Sequence, residues 1–208
     1  MLCEGEDDKG VLETLVSARH LPDFQICHSA ECNPEKTGGK TGFVRAIKGM
    51  EALSGFRDLR GILIVTDNDT LQASFADARR AFTDNGHAAP VNPNAVGDML
   101  GKPVAILMIP SDTVVGDLET LCLPAIHAQW PNAQQCVTAF LNCSGANSWA
   151  KRSSISKARA RSAAVGFYEP DPYMGIGHLF RHGVLSALNP CFDTIATFLQ
   201  NFDTMCGI

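Results

Sequence analysis

Apolar positions along the chain follow two spacings, and the switch between them outlines the fold. Val11, Leu12, Leu15 and Val16 recur at helical spacing behind the acidic start Glu6-Asp7-Asp8. The short run Phe24-Gln25-Ile26-Cys27 predicts a strand, and Phe43, Val44, Ile47, Met50 and Leu53 return to the helical period. Gly61-Ile62-Leu63-Ile64-Val65-Thr66 is the clearest strand, because a continuous apolar run suits a strand buried on both faces. A helix predicted over 71–82 stops near Asn85-Gly86. A second continuous run over 104–109 is closed by Pro110. The intervening stretch 88–102 has four Gly or Pro residues and reads as a loop.

After Gly116 the strand-like runs stop. The segments 118–126, 131–141, 149–165 and 193–202 all have helical spacing, with Pro131 suited to a first helical turn. With Met1-Leu2-Cys3 as an opening strand, the first half alternates strand and helix. That order predicts an α/β fold: a Rossmann-like parallel sheet of about four strands flanked by helices, with right-handed crossovers. Residues 1–127 are expected to form the core and 128–208 a helical C-terminal extension packed on it.

Charge changes this picture locally. Lys and Arg number 17 against 22 Asp and Glu, a net −5 that argues against coating nucleic acid by bulk positive charge. Five of the basic residues (Lys151, Arg152, Lys157, Arg159, Arg161) nevertheless lie within 151–161, where there is no acid. Eight cysteines form no CxxC pair, no secretory signal opens the chain, and no apolar run approaches the ~20 residues of a membrane span. The expectation is a reduced, cytoplasmic protein without a membrane partner, its cysteines acting as small buried hydrophobes.

Functional groups in parallel α/β sheets collect at the carboxyl ends of the strands. The first strand candidate is followed by Glu4-Gly5-Glu6-Asp7-Asp8, the second apolar run by Asp67-Asn68-Asp69, and the third by Ser111-Asp112 and Gly116-Asp117-Leu118-Glu119. Each group has a plain structural reading, since acids favour a helix's first turn and Asp caps helices. Together they would repel one another unless a divalent cation neutralised them, and hard oxygen ligands favour Mg²⁺ or Mn²⁺. Such a site suits phosphoryl transfer or phosphodiester hydrolysis.

Glu-Gly after the first strand, with Asp-x-Asp after a later buried strand, resembles the Toprim domain of type IA and II topoisomerases, primases and OLD-family nucleases. The resemblance covers roughly residues 1–125 and is closest to small stand-alone Toprim proteins related to the OLD nucleases. It implies that Glu4 is the Toprim glutamate, acting as metal ligand or as general acid or base, and that Asp67 and Asp69 are metal ligands. Asp8 falls where OLD-like nucleases carry an additional acid, and Asp117 and Glu119 where they place ligands for a second metal. A basic residue on a later helix supports cleavage in such enzymes; Lys157 is the candidate and Lys151 the second. The opening strand is shorter than a Toprim first strand, either intrinsically or because the sequence begins inside the natural domain.

The resemblance thus implies a Mg²⁺-dependent nuclease or nicking enzyme on DNA or RNA, with Lys151, Arg152, Lys157 and Arg161 contacting phosphates. On a helix Lys157 and Arg161 share a face. Any energy-coupled activity would need a separate ATPase partner. The alternatives are a catalytically silent Toprim module that binds nucleic acid or a partner protein, and a phosphotransfer enzyme on another acid-clustering α/β fold. Pro34-Glu35-Lys36-Thr37-Gly38-Gly39-Lys40-Thr41 ends like a phosphate-binding loop, but Pro34 stands where the first Gly belongs. Cys27, His28 and Cys32 lack a second ligand pair for zinc, and His178 and His182 lack the Glu of HExxH. Structural roles are expected for all of these.

Overall fold

The computed structural model describes residues 1–33, 35–70, 72–171 and 173–207. It opens with the two-residue strand β1 (Leu2–Cys3), helix α1 (Glu6–Ala18), strand β2 (Cys27–His28) and helix α2 (Lys40–Glu51). Strand β3 (Ile62–Asp67), helix α3 (Ala73–Thr83) and the strands β4 (Val96–Met99) and β5 (Lys102–Ile109) follow. Among the described residues the α-helices that follow are α4 (Leu118–Gln129), α5 (Ala133–Cys143), α6 (Arg152–Phe167), α7 (Ile176–Arg181) and α8 (Asp193–Cys206).

The five strands lie in the order β2-β1-β3-β5-β4, all parallel except β4. β3 and β5 run side by side from Ile62↔Val104 to Asp67↔Ile109, which brings both carboxyl ends to one edge. Leu2 of β1 pairs with Ile64 of β3, so Glu4 emerges at that same edge. The period-2 geometry of a strand sends Ile62, Ile64, Val104, Ile106 and Met108 to one face, where they pack on Phe43 and Ile47 of α2 and Phe82 of α3. Leu63, Val65, Ala105, Leu107 and Ile109 face the other way, onto Val11 and Leu15 of α1 and residues of α4 to α8. Both faces being covered explains the unbroken apolar runs; each fully buried Ile, Leu or Val contributes about 1.5–3 kcal/mol.

The sheet departs from expectation at 88–102, where β4 and β5 form a hairpin in place of a loop. Its turn is Leu100-Gly101, both residues at positive φ (56° and 79°), the geometry of a tight two-residue hairpin turn. Leucine is an unusual occupant of that position, so the sequence carries no Asn-Gly or Asp-Gly signal there. The strand expected over 24–27 pairs only at Cys27–His28, and α7 is a helix that the apolar spacing does not predict. α5 and α6 start at Ala133 and Arg152, later than the apolar spacing predicted, so Pro131 precedes the helix and Trp149 stands outside it. The expected helix start at Leu71 and the first position of the phosphate-loop resemblance, Pro34, lie outside the described residues. Among the described residues no helix is long and apolar enough to cross a membrane.

α1 and α7 meet backbone to backbone. A Cβ on Gly10 would lie 2.9 Å from the Cα of Gly177, and the Gly177 N–H donates to Asp7 Oδ1 at 2.9 Å. The first-turn acids therefore divide by task. Asp7 ties α1 to α7, Glu6 turns outward to pair with Arg181 at 2.7 Å, and Asp8 turns into the sheet edge.

Candidate functional site

The residues that follow β1, β3 and β5 build one acidic edge. Glu4 leaves β1 with its carboxylate held from β3: the Thr66 hydroxyl donates to Glu4 Oε1 at 2.5 Å and the Asp67 N–H donates to the same atom at 2.9 Å. Its main-chain carbonyl accepts from the Ser29 hydroxyl and the Gly39 N–H, both at 3.2 Å. A two-residue strand thus receives its rigidity from neighbouring elements. Asp67 Oδ1 accepts the N–H of Leu118 at 3.0 Å, so the end of β3 is fastened to the first turn of α4. Asn68 is buried and holds the loop after β5, its amide donating to the carbonyls of Ser111 at 2.9 Å and Val114 at 3.2 Å.

Electrostatics at this edge are strained by design of the topology: carboxylates arrive from separate elements and face one another. Asp8 is buried; burial and the nearby Glu4 and Glu119 charges push its pKa up to about 7, against the Gly5 N–H that donates to its Oδ2 at 2.9 Å. Burial, then the charges of Glu4, Asp8, Asp117 and Asp69, push Asp67 up to about 9. Glu119 is raised by burial and by Asp117. Each shift says that the charged form is uncomfortable without a counter-charge.

Two lysines face the acids. Lys157 on α6 loses stability of its charge through burial, yet Glu119, Asp67, Asp117 and Asp69 raise its pKa overall, which places its ammonium within their field. Lys40, at the start of α2, donates to Asp69 Oδ2 at 3.0 Å and to the Ser74 hydroxyl at 3.2 Å, and lies 4.0 Å from Glu4 Oε1. Sequence reasoning missed Lys40. Its signal was the Gly38-Gly39-Lys40-Thr41 run, in which Gly39 takes a positive φ of 68°; just after it, a Cβ on Gly42 would collide with the Thr37 carbonyl and the Ser29 side chain. The loop wraps on the Glu4 backbone and delivers a cation to the site.

Asp117 behaves as the structural reading anticipated. It is wholly buried and caps α4, its Oδ1 accepting from the Thr120 N–H at 2.9 Å and hydroxyl at 2.7 Å. The Ser156 hydroxyl donates to its Oδ2 at 2.5 Å. Through that bond α6 is anchored beside the site, one residue from Lys157. Of the other basic residues, Arg152 shares a cavity with Asp69, Gly116 and Thr120, and Arg161 shares one with Asp7 and Glu119. Lys151 lies at the exposed start of α6.

The strand-end acids surround a common region but do not converge on a point. Among the described residues, the trio with ligand atoms all within 4.8 Å of one another is Glu6, His28 and Glu31, a combination the sequence did not suggest. Glu6 and Glu31 are exposed and already hold cations, Arg181 and Lys9 respectively, each at 2.7 Å. Cys27 and Cys32 also come together, whereas His178 and His182 stack edge to face with ring centres 6.2 Å apart.

The donor set at the acidic edge is entirely hard oxygen. Glu4, Asp8, Asp67, Asp69 and Glu119 bring five negative charges against the two positive charges of Lys40 and Lys157, an excess of three on full ionisation. A divalent cation of the Mg²⁺ or Mn²⁺ type fits that excess and that chemistry.

Comparison with curated proteins and with solved structures finds no match. Over residues 1–203 the chain matches the family described as "Protein of unknown function (DUF3226)", and it belongs to that family.

Proposed function

We propose that this protein is a Mg²⁺-dependent phosphodiesterase acting on DNA or RNA, a nicking enzyme or nuclease on a Toprim-like core. The observation that carries the reading is the set of mutually destabilised carboxylates at the ends of β1 and β3 and the start of α4, flanked by Lys40 and Lys157. Asp67, Asp69, Glu4 and Asp8 would hold the first cation, and Asp8 and Glu119 would contribute to a second. Asp117 positions α4 and α6 and has one free lone-pair direction at most for a metal.

When bound, Mg²⁺ supplies charge neutralisation and Lewis acidity to a phosphodiester and its attacking water. The protein's own groups do the rest. Lys157, within the field of Glu119 and Asp67, would offer its positive charge to the phosphorus-centred transition state. With Asp69 serving as a metal ligand, Lys40 would give up its ion pair to Asp69 and its ammonium would be free for a substrate phosphate. Arg152 and Arg161 extend the positive rail on either side of Lys157. The hydrogen bonds from Thr66 and Asp67 keep Glu4 oriented, and its second oxygen takes or gives a proton or ligates. Energy-coupled action would require a separate ATPase partner.

A second reading is a catalytically silent module that binds nucleic acid or a partner protein. It is favoured by the fact that Glu4, Asp67 and Asp117 are already hydrogen-bonded within the protein. One experiment separates the two. The wild type and an Asp67→Ala, Asp69→Ala double variant are titrated with Mg²⁺ by calorimetry and assayed for nicking of supercoiled DNA and cleavage of RNA. Metal-dependent cleavage lost in the variant supports the enzyme. DNA or RNA binding without cleavage, equal in both proteins, supports the module.

A further inference from the structure

Cys27 and Cys32 are separated by four residues, a spacing that advertises nothing, yet Cys27 Sγ lies 2.6 Å from Cys32 Sγ. A disulfide bond is about 2.05 Å long, so the sulfurs need to close by about half an ångström. The frame around them is fixed. The Cys27 N–H donates to the Met1 carbonyl at 3.0 Å, the Glu31 N–H to the His28 carbonyl at 2.9 Å, and the Ser29 N–H to the Cys3 carbonyl at 2.9 Å. Past Cys32, the Asn33 amide donates to the Thr37 carbonyl at 2.7 Å and its Oδ1 accepts the Glu35 N–H at 2.8 Å. Ser29, between the cysteines, is wholly buried.

Both thiols are reachable. They line a cavity of about 400 Å³ with Met50, Phe56 and Cys206, at the amino-terminal end of the sheet, opposite the carboxylates. Cys3 and Cys122, by contrast, are buried. The adjoining Cys27 side chain holds the Cys32 thiol below its ordinary range, so this sulfur is the better nucleophile of the pair.

We propose that Cys27 and Cys32 form a reversible dithiol–disulfide site, oxidised by small hydroperoxides that enter through this cavity. The Cys32 thiolate attacks the outer oxygen of the hydroperoxide. The O–O bond breaks, an alcohol or water departs with a proton, and Cys32 becomes a sulfenic acid. Cys27 sulfur then attacks Cys32 sulfur, the S–O bond breaks, and the hydroxyl leaves as water with the Cys27 proton. Two thiols and one hydroperoxide give one disulfide, one alcohol and one water. A dithiol reductant reverses the step by exchange. The proposal is independent of metal chemistry at the other end of the sheet.

The test uses the full chain, reduced, desalted and exposed to one equivalent of hydrogen peroxide, then alkylated under denaturing conditions and weighed. The reduced protein takes eight alkyl groups, one for each cysteine. The oxidised protein is expected to take two fewer, with full recovery after dithiothreitol. Cleavage after Glu31 severs the chain between the two cysteines, so the pieces stay joined only while the disulfide persists. Oxidised Cys32→Ser is expected to lose none of its remaining thiols, whereas Cys206→Ser retains the link. Full alkylation of Cys27 and Cys32 after peroxide, sulfinic acid at Cys32 without a link, or pairing of either with another cysteine overturns the proposal.

Discussion

The backbone N–H of Asp67 donates to Glu4 Oε1 at 2.9 Å, although 63 residues separate them. This bond locks the end of β1 to the end of β3 and forces two carboxylates into proximity. The fold holds the arrangement with the Thr66 hydroxyl and backbone donors, while Lys40 and Lys157 offset only part of the negative charge.

That cost has a pH signature. The Asp67 carboxyl stands at about 9 in the folded protein, above its ordinary 3.8, because of burial and the surrounding acids. A raised carboxyl binds its proton more tightly when folded, so its contribution is complete below pH 4 and is lost as pH rises through about 9. Asp8, raised to about 7, acts in the same direction. Thermal unfolding in EDTA should therefore show falling stability from pH 5 to pH 9. Asp67→Asn should flatten that slope and raise Tm at pH 8, by about 2–4 °C for each kcal/mol recovered. Millimolar Mg²⁺ should raise the Tm of the wild type at pH 8 and not that of Asp67→Asn. Identical slopes for the two proteins would mean that Asp67 does not carry the strain.

The two lysines should separate in function. Lys40 competes for Asp69 at 3.0 Å, so Lys40→Ala should tighten Mg²⁺ binding by about two- to fivefold, the usual worth of a partly exposed ion pair. On the proposed reading Lys157→Ala removes a phosphate contact. Its binding to a DNA oligonucleotide, followed by anisotropy across salt concentrations, should lose about 0.7–0.9 from the slope of log K against log salt. An unchanged slope would remove Lys157 from the phosphate rail.

Ser156 supports Asp117 and, through it, the placement of Lys157. Ser156→Ala leaves Asp117 Oδ2 without its hydroxyl donor in a buried site, a loss of about 1–3 kcal/mol. Urea unfolding should show a lower midpoint with an unchanged m-value. Valine at 156 should be worse still, since it adds bulk without a donor. A neutral Ser156→Ala would indicate that Asp117 is satisfied by Thr120 alone.

What the sequence disclosed followed from periodicity and from adjacency to strand ends. β3 and β5 were legible because both of their faces are buried, and Glu4, Asp67 and Asp69 because a strand's carboxyl end is fixed by its register. Lys40 was hidden because its role depends on the loop before α2 folding back on the Glu4 carbonyl, a long-range contact that no local spacing encodes. β4 was hidden because a leucine occupies the positive-φ turn position. The trio Glu6, His28 and Glu31 and the Cys27–Cys32 pair arise from β2 pairing beside β1, a pairing that two residues of strand cannot announce.

The crossing of α1 and α7 gives a prediction in which two opposing effects can be weighed. Replacing glycine by alanine inside a helix ordinarily stabilises by about 0.5–1 kcal/mol, because the unfolded chain has less freedom to lose. At Gly10 the added Cβ would lie 2.9 Å from both the Cα and the carbonyl oxygen of Gly177, backbone atoms that cannot rotate away. Relief requires α7 to move, which would also stretch the 2.9 Å bond from the Gly177 N–H to Asp7. Overpacking of this kind costs about 1–3 kcal/mol, so the clash exceeds the propensity gain and Gly10→Ala should destabilise. Gly166, in α6, meets nothing within 4 Å of an added Cβ, so Gly166→Ala should stabilise or leave stability unchanged. Guanidinium unfolding of the two variants beside the wild type compares the signs directly. If Gly10→Ala gains stability as Gly166→Ala does, α1 and α7 are farther apart in solution, and the Asp7 contact is not what holds them.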